Sequence, residues 1–400
     1  MPAPSPRPEI VTLGCRLNIA ESEAIRGLLG SRDIVVVNSC AVTNDAVKAT
    51  RAAIRRARRT RPDAELVVTG CAAAIDPAGF GAMAEVDRVV GNMAKLDPAA
   101  WGALAMPPAR FSGHARAFVE VQNGCDHSCT FCAIPFGRGP SRSVPAGAVV
   151  DRIAALVDAG HREVVLTGVD VTSYGTDLPG TPSFGALVER LLIHTRVERL
   201  RLSSLDSIEI DDRLFDLLTG EARVMPHVHL SLQAGDDMIL KRMKRRHARA
   251  DAVRIVARLK ARRDIAIGAD LIAGFPTEDD AMFANTLAIV DDCDVVHPHI
   301  FPFSPRTGTP AARMPQVARD VVKHRAARLR AAGEARRRRW LATLVGTEQS
   351  VLVERPGDRG HAANFAEVHL PAPPARLAPG DVAAVRISAT TDSTLIGTFL

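Results

Sequence analysis

The stretch Val121–Arg142, VQNGCDHSCTFCAIPFGRGPSR, decides how the rest of the chain is read. It carries Cys125, Cys129 and Cys132, a C-x3-C-x2-C triplet, with Phe131 just before the last cysteine. Three thiolates this close together can hold three irons of a 4Fe–4S cluster and leave the fourth iron open. An open iron lets a cluster bind a small molecule as well as carry electrons. Zinc is the competing ion. A structural zinc wants four ligands, usually from two C-x2–4-C pairs. His127 is the nearest candidate for a fourth ligand, but it lies inside the tight loop, where its geometry is poor. The ligand rules therefore favour the cluster.

The composition sets the frame around this stretch. A chain of 400 residues is expected to hold two or three domains. No run reaches the ~18 apolar residues of a membrane span. The opening MPAPSPRPEI lacks the basic-then-apolar pattern of a signal peptide, so a cytoplasmic protein with no membrane partner is expected. Seven cysteines in that compartment argue for metal binding or catalysis rather than disulfides. The net charge of +6 suggests an anionic partner. At 4% aromatic residues, an extended platform for base stacking is not indicated.

Upstream, residues 1–105 alternate β-branched runs at 9–14, 33–40 and 65–71 with helical stretches at 18–30 and 44–60, and a fourth strand is expected at 87–90. This is the pattern of a doubly wound α/β domain. Cys15, Cys40 and Cys71 each follow a strand, one βαβ interval apart. Parallel strands place such residues along one edge of the sheet, where open α/β sheets bind ligands. Cysteines are also common small core residues. Three at equivalent positions favour a second cluster. The helix at 44–60, read as far as residue 61 by its charge run, carries Lys48, Arg51, Arg55, Arg56, Arg58, Arg59 and Arg61. Such a run reads equally as a solvated face or as a contact to RNA phosphates.

Downstream, residues 111–335 repeat a strand–helix pattern six times. Strands are expected at 117–122, 163–168, 199–204, 227–233, 265–272 and 295–301, with helices at 146–159, 183–195, 211–219, 250–263 and 278–291. Six units are too few for a closed eight-stranded barrel, so a partial, open (β/α)6 barrel is expected, with its chemistry in the loops after the strands. Those loops hold Gly168 and Asp170 in TGVD, then Ser203, Ser204 and Asp206, whose hydroxyls and carboxylate suit a ribose or an ammonium group. They also hold Gln233, Arg245 and Gly274. His297 and His299 read as structural residues of a buried strand, Cys293 as a core thiol, and Tyr174 as packing. A basic helix, 322–340, leads to a tail at 340–400 with strands at 347–354, 364–369, 381–388 and 394–399, which suits a small β-barrel. Arg336 to Arg339 at the junction are candidates to track an RNA backbone.

The cysteine triplet resembles the signature of the radical S-adenosylmethionine (radical SAM) enzymes, and the flanking QNGCD…C.FC.IP..RG..RS narrows this to the methylthiotransferases. LGCRLN, VNSCAVTNDAVKATR and VVTGCAAA resemble the three cysteine motifs of that family's N-terminal domain, VDRVVGN its closing strand, and LVERPGDRGHAANFAEVHL the RNA-binding TRAM barrel. The resemblance implies two 4Fe–4S clusters, with the catalytic one on Cys125, Cys129 and Cys132 and an auxiliary one on Cys15, Cys40 and Cys71. It implies SAM, with its amino group on the Gly168–Asp170 loop, Gln233 and Arg245 at family positions, and its adenine beside Gly274. LGCRLN and RLSSLD look most like the branch acting on N6-threonylcarbamoyladenosine at position 37 of tRNA. That branch implies tRNA as partner, an electron donor such as flavodoxin or ferredoxin, a sulfur source, and a monomer. Asp206 stands where many relatives have glutamate, Ser207 where proline is common, and LQAG replaces LQSG. Action on isopentenyladenosine or on a ribosomal-protein side chain, and a non-catalytic iron–sulfur RNA-binding protein, are the alternative readings.

Overall fold

The structure, a computed structural model, describes residues 8–105, 111, 113–371 and 377–400; of the quoted opening MPAPSPRPEI it covers only the last three residues. The first domain is a four-stranded parallel sheet in the order β1 (Glu9–Thr12), β2 (Ile34–Ser39), β3 (Glu65–Gly70), β4 (Arg88–Val89). All six side chains of IVVVNS in β2 are buried, as in a strand covered on both faces. Alternate residues face opposite ways. Ile34, Val36 and Val67 pack on Ile25, Leu28 and Leu29 of α1 (Arg16–Leu29). Val35, Val37, Leu66 and Val68 pack on Ile54 and Ala57 of α2 (Asn44–Thr60). Helices thus cover both faces, as expected. The strand order runs straight, so no reversal of strand order opens a crevice; the crevice forms where this sheet meets the next domain. Short helices α3 (Cys71–Ile75) and α4 (Pro77–Gly81) follow β3.

The second domain opens with β5 (Arg116–Glu120), a short hairpin of β6 (Gln122–Asn123) and β7 (Arg142–Ser143), and α5 (Ile134–Arg138) between them. Then follow α6 (Ala146–Asp158), β8 (Glu163–Thr167), α7 (Phe184–His194), β9 (Arg199–Leu202), α8 (Asp212–Gly220), β10 (His227–Gln233), α9 (Asp237–Met243), α10 (Arg249–Arg262), β11 (Ala266–Ala273), α11 (Asp280–Asp292) and β12 (Val295–Pro302). The six long strands form two parallel three-stranded sheets, β5-β8-β9 and β10-β11-β12, joined by the bridges Leu200↔Val224 and Leu205↔Leu230. This is the expected open (β/α)6 barrel. The short helices α5 and α9 were not expected.

The 25-residue α12 (Arg319–Thr343) does more than link two domains. It lies along β12, close enough that a Cβ on Gly333 would stand 2.5 Å from Pro298. Its arginines are largely spent within the chain. Arg325 is buried on Glu278 (2.9 Å), Arg336 pairs with Asp294, and Arg339 pairs with Asp291 (2.7 Å). The basic helix α2 is similar: Arg51, Arg55, Arg58 and Arg61 pair with acids of their own domain. Part of each basic run is thus paired within the chain. The tail is a closed barrel, β13 (Glu348–Glu354), β14 (Arg359–Ala362), β15 (Glu367–His369), β16 (Val382–Thr390) and β17 (Leu395–Phe399), in the order β13-β14-β15-β17-β16. Of these, β14 was not expected, because RGHA has neither β-branched residues nor alternation. Its Gly360 is needed there, since a Cβ would stand 2.1 Å from the Leu352 carbonyl oxygen.

Candidate functional site

The loop after β6 gathers its three thiols through local backbone geometry. Gly124 has φ +74°, and a Cβ there would lie 1.8 Å from the Pro140 carbonyl oxygen, so only glycine lets the chain turn here. The Cys125 Sγ accepts from the His127 N–H and the Cys132 Sγ from the Ile134 N–H, each at 3.4 Å. The Arg245 guanidinium stands 3.8 Å from the Cys129 Sγ. Burial pushes the Cys125 thiol up to about 11 and the Cys132 thiol up to about 12. A coordinating metal reverses that order and deprotonates a thiol outright. Three soft sulfurs with amide and guanidinium donors aimed at them suit an iron–sulfur cluster, whose potential such donors tune. His127 is engaged elsewhere, with its Nε2 2.7 Å from Asp170 Oδ2.

Of the residues expected to meet a cofactor, Asp170, Asp206, Arg245 and Gln233 lie beside this loop. The organiser is Gln122, which sequence reasoning passed over. Its Nε2 donates to the Gly124 carbonyl (2.8 Å), and its Oε1 accepts from the Val169 and Asp170 N–H groups (3.1 and 2.9 Å). One side chain thus ties the cysteine loop to the Gly168 loop. A Cβ on Gly168 would stand 2.7 Å from the Gln122 carbonyl oxygen. Burial pushes the Asp170 carboxyl up, but His127 and the hydroxyls of Ser173 and Thr172 outweigh it and hold the group down at about 2. Arg245 donates to Asp206 (3.0 Å) and to the Ser231 carbonyl (2.9 Å). Ser203 is buried with an unpartnered Oγ, while Ser204 is half-buried. Gln233 adopts φ +68°, a strained conformation for a residue with a side chain. It lines a cavity of about 210 Å³ together with Val42, Thr43, Phe131, Asp270 and Phe303. The space beside Gly274 is taken by Val322 of α12, 2.5 Å from where a Cβ would sit.

The three strand-end cysteines do converge. Cys15 is exposed, and Cys40 and Cys71 are buried. Burial pushes the Cys40 thiol up, and the proximity of Cys15 and Cys71 adds to this. A Cβ on Gly14 (φ +97°) would lie 2.7 Å from the Cys40 Sγ. Asn92 Nδ2 reaches to 3.8 Å from the Cys71 Sγ and donates to the Gly137 carbonyl at 2.6 Å. Arg138, buried between the domains, donates to Glu21 (2.8 Å), Asn18 (2.6 Å) and Asn123 (2.9 Å), and lies near both Cys15 and Cys71. Lys95 also pairs with Glu21, at 2.5 Å. These buried charges lock the two cysteine sets to each other. Arg138 stands inside the stretch quoted first, yet a partner more than a hundred residues away cannot be read from spacing.

A third polar region fills the lumen below. Glu163 accepts from Arg116 (2.8 Å), Arg199 (2.9 Å) and Arg201 (3.1 Å). Burial alone would raise its pKa, and the three guanidiniums drive it far below the carboxylate range. Asp270 is held by His229 (3.0 Å) and His299 (3.3 Å). His297 is buried, with its Nε2 3.2 Å from the Asn364 carbonyl oxygen, whereas His299 is exposed, contrary to the buried strand expected. Phe365, from the loop after β14, closes the lumen from below, with its ring centre 5.1 Å from that of His227. Arg16 reaches the same ring from the first domain. Its pKa falls to about 10, chiefly through burial and then through Arg201 and Arg116. Tyr174 donates to the Val144 carbonyl (2.8 Å) and Cys293 is a core thiol, both as expected.

Comparison with known proteins places this geometry. Residues 119–290 match the model of the Radical SAM superfamily, and residues 7–91 match Uncharacterized protein family UPF0004. The chain is similar to threonylcarbamoyladenosine tRNA methylthiotransferase MtaB of Rickettsia prowazekii (46% identical, covering 91% of each chain). It is also similar to the protein of that name in Bacillus subtilis (36% identical, 80% of this chain and 78% of that one). A tRNA-2-methylthio-N(6)-dimethylallyladenosine synthase of Cereibacter sphaeroides is 32% identical over 97% of each chain. Among solved structures, the radical S-adenosylmethionine methyltransferase TsrM of Kitasatospora setae shares the fold, with a TM-score of 0.53 at 16% identity over 70% of this chain and 64% of that one. No described helix is long and apolar enough to cross a membrane.

Proposed function

We propose a function from one premise: this chain belongs to the MtaB family of radical SAM tRNA methylthiotransferases. It is a transferase that converts N6-threonylcarbamoyladenosine at position 37 of tRNA to its 2-methylthio derivative. The observation that carries this reading is the pairing of two thiol triplets across one crevice, in a chain 46% identical to a protein of that name.

In this reading, Cys125, Cys129 and Cys132 hold the cluster that binds SAM, and Cys15, Cys40 and Cys71 hold an auxiliary one. When bound, the first cluster supplies the one-electron chemistry that an unactivated aromatic C–H requires, and the second a resting place for the sulfur. The protein's own residues orient and exclude. Gln122 fixes the Gly168–Asp170 loop over the cysteine loop. Asp206 and Arg245 hold each other in place beside Cys129, and Gln233 lines the neighbouring cavity. Phe365 and the Glu163–arginine cluster seal the lumen from below, which protects a reactive centre from water. Position 37 of tRNA lies in a single-stranded loop, so its base can be splayed out without opening a duplex. The residues 1–105, 111–335 and 340–400 divide the labour into auxiliary-cluster, radical and TRAM-like domains. The electron donor, the sulfur source and a monomeric state are expectations of the family. The test is nucleoside mass spectrometry on tRNA from a deletion strain. Loss of the 2-methylthio form of threonylcarbamoyladenosine, restored by the intact gene, supports the reading. Loss of 2-methylthio-dimethylallyladenosine instead would reassign the substrate.

A further inference from the structure

The lumen holds one charge that the proposed mechanism leaves unused. Around the Phe365 ring stand the guanidiniums of Arg16, Arg116 and Arg201, at 5.4, 5.5 and 4.8 Å from its centre. Two of them are committed. Arg116 gives to Glu163 (2.8 Å) and Glu354 (2.5 Å), and Arg201 gives to Glu163 (3.1 Å). Arg199 also gives to Glu163, at 2.9 Å. The remaining carboxylate, Asp270, is held between His229 and His299. Four guanidiniums thus face three carboxylates, Glu163, Glu354 and Asp270. Among the described residues the half-buried Arg16 guanidinium has the ring contact but no hydrogen bond or ion pair. It carries five N–H donors in a planar fork, next to two like charges. Holding a cation there without a partner is costly, and an arriving anion relieves the cost.

Its place in the chain matters as much as its charge. Arg16 follows Cys15 directly, at the point where α1 begins. Asp270, among its electrostatic neighbours, also lines the cavity shared with Gln233 and Phe131. Arg16 therefore lies between one cysteine set and the lumen that the other set overlooks. A carboxylate matches a guanidinium fork with two parallel bonds, which a lysine ammonium cannot reproduce.

We infer that Arg16 receives the carboxylate of the threonyl group on the substrate adenosine, and so selects the carboxylated adenosine over apolar N6-substituted ones. This rests on the function proposed above. A threonylcarbamoyl group ends in a free carboxylate, whereas a dimethylallyl group has no polar atom. A substrate without the carboxylate leaves the Arg16 donors unpaired, and a site built around a polar partner rejects such analogues strongly.

The test compares two anticodon stem-loop RNAs with anaerobically reconstituted full-length enzyme. One carries threonylcarbamoyladenosine, and the other carries the same group with its carboxylate converted to a neutral methylamide. Methylthiolation kcat/KM is measured on both, together with iron per chain. The unaltered enzyme should prefer the carboxylate RNA by about 100-fold, the worth of a lost bidentate charged pair. In Arg16→Met the preference should collapse to within about threefold through a raised KM for the carboxylate RNA, with iron content retained. Arg16→Lys should keep only part of the preference. An unaltered enzyme that treats the two RNAs alike overturns the inference without recourse to any variant. So does Arg16→Met that keeps the preference, or that slows on both RNAs equally. If the unaltered enzyme modifies neither RNA but accepts a dimethylallyladenosine stem-loop, the proposed function falls and this inference with it.

Discussion

The two cysteine sets arrive at the same kind of site by opposite routes. Cys125, Cys129 and Cys132 are placed by a loop whose supports lie mostly within about twenty residues: Gly124, Gln122 and two N–H groups aimed at sulfur. Cys15, Cys40 and Cys71 are placed by a sheet. Cys40 and Cys71 follow strands paired residue for residue, Ser39 with Gly70, so they meet only once that register exists. A site built by a loop can be lost through a local lesion, while a site built by register is lost with its domain. Arg138 crosses the boundary and makes each depend on the other.

The sharpest way to break this contrast is to remove one thiol from each set. Cys129→Ala should abolish both SAM cleavage and methylthiolation, with the latter falling by about 10³-fold or more. Cys40→Ala should give no methylthiolated tRNA yet still cleave SAM when reduced. Both products are measured in one reaction, and methylthiolated tRNA from Cys40→Ala would return the strand-end cysteines to the core. Next in size is the bridge. Arg138→Met leaves Glu21 short of a partner in a buried site and should cost about 3–5 kcal/mol in urea denaturation. A cost below about 1 kcal/mol would mean that the two sets are not coupled through it.

Acid should loosen the lower lumen. The Glu163 pKa is depressed in the folded state, so its stabilisation is present above the ordinary glutamate value of 4.5 and is lost as pH falls below it. About 2–3 kcal/mol should drain away on that side, read as a falling denaturation midpoint that Glu163→Gln flattens. Smaller still is a twofold effect on iron. Gly124→Ala and Gly14→Ala should each reduce iron from about eight to about four per chain, from opposite sites. Equal loss of all iron in both would erase the distinction between loop and register. The smallest effect belongs to the exposed pair on α12, where Arg339→Ala should cost less than about 1 kcal/mol.

The sequence disclosed what repeats and what clusters. Strand–helix alternation gave the open barrel, with β10 placed to the residue, and equivalent positions after three strands brought Cys15, Cys40 and Cys71 together. It hid what depends on distant partners. Gln122 looked like an ordinary strand-end residue because its acceptors lie in another loop. Arg138 and Arg336 look alike as letters, yet one is buried between domains and the other closes a half-buried pair with Asp294. Charge runs concealed their pairing: several arginines of α2 and α12 have acidic partners that only the fold brings near.

Phe365 gives the molecule a timetable. The floor of the lumen comes from a residue near the carboxyl end, fastened there by Arg116 to Glu354 and by Arg201 to the Ala363 carbonyl. A ribosome finishes every cysteine-bearing segment long before it reaches this plug. Both thiol sets are complete in sequence more than two hundred residues before Phe365 is reached. A chain cut short of residue 365 would keep every cysteine while losing the ring on which Arg16, Arg116 and Arg201 converge.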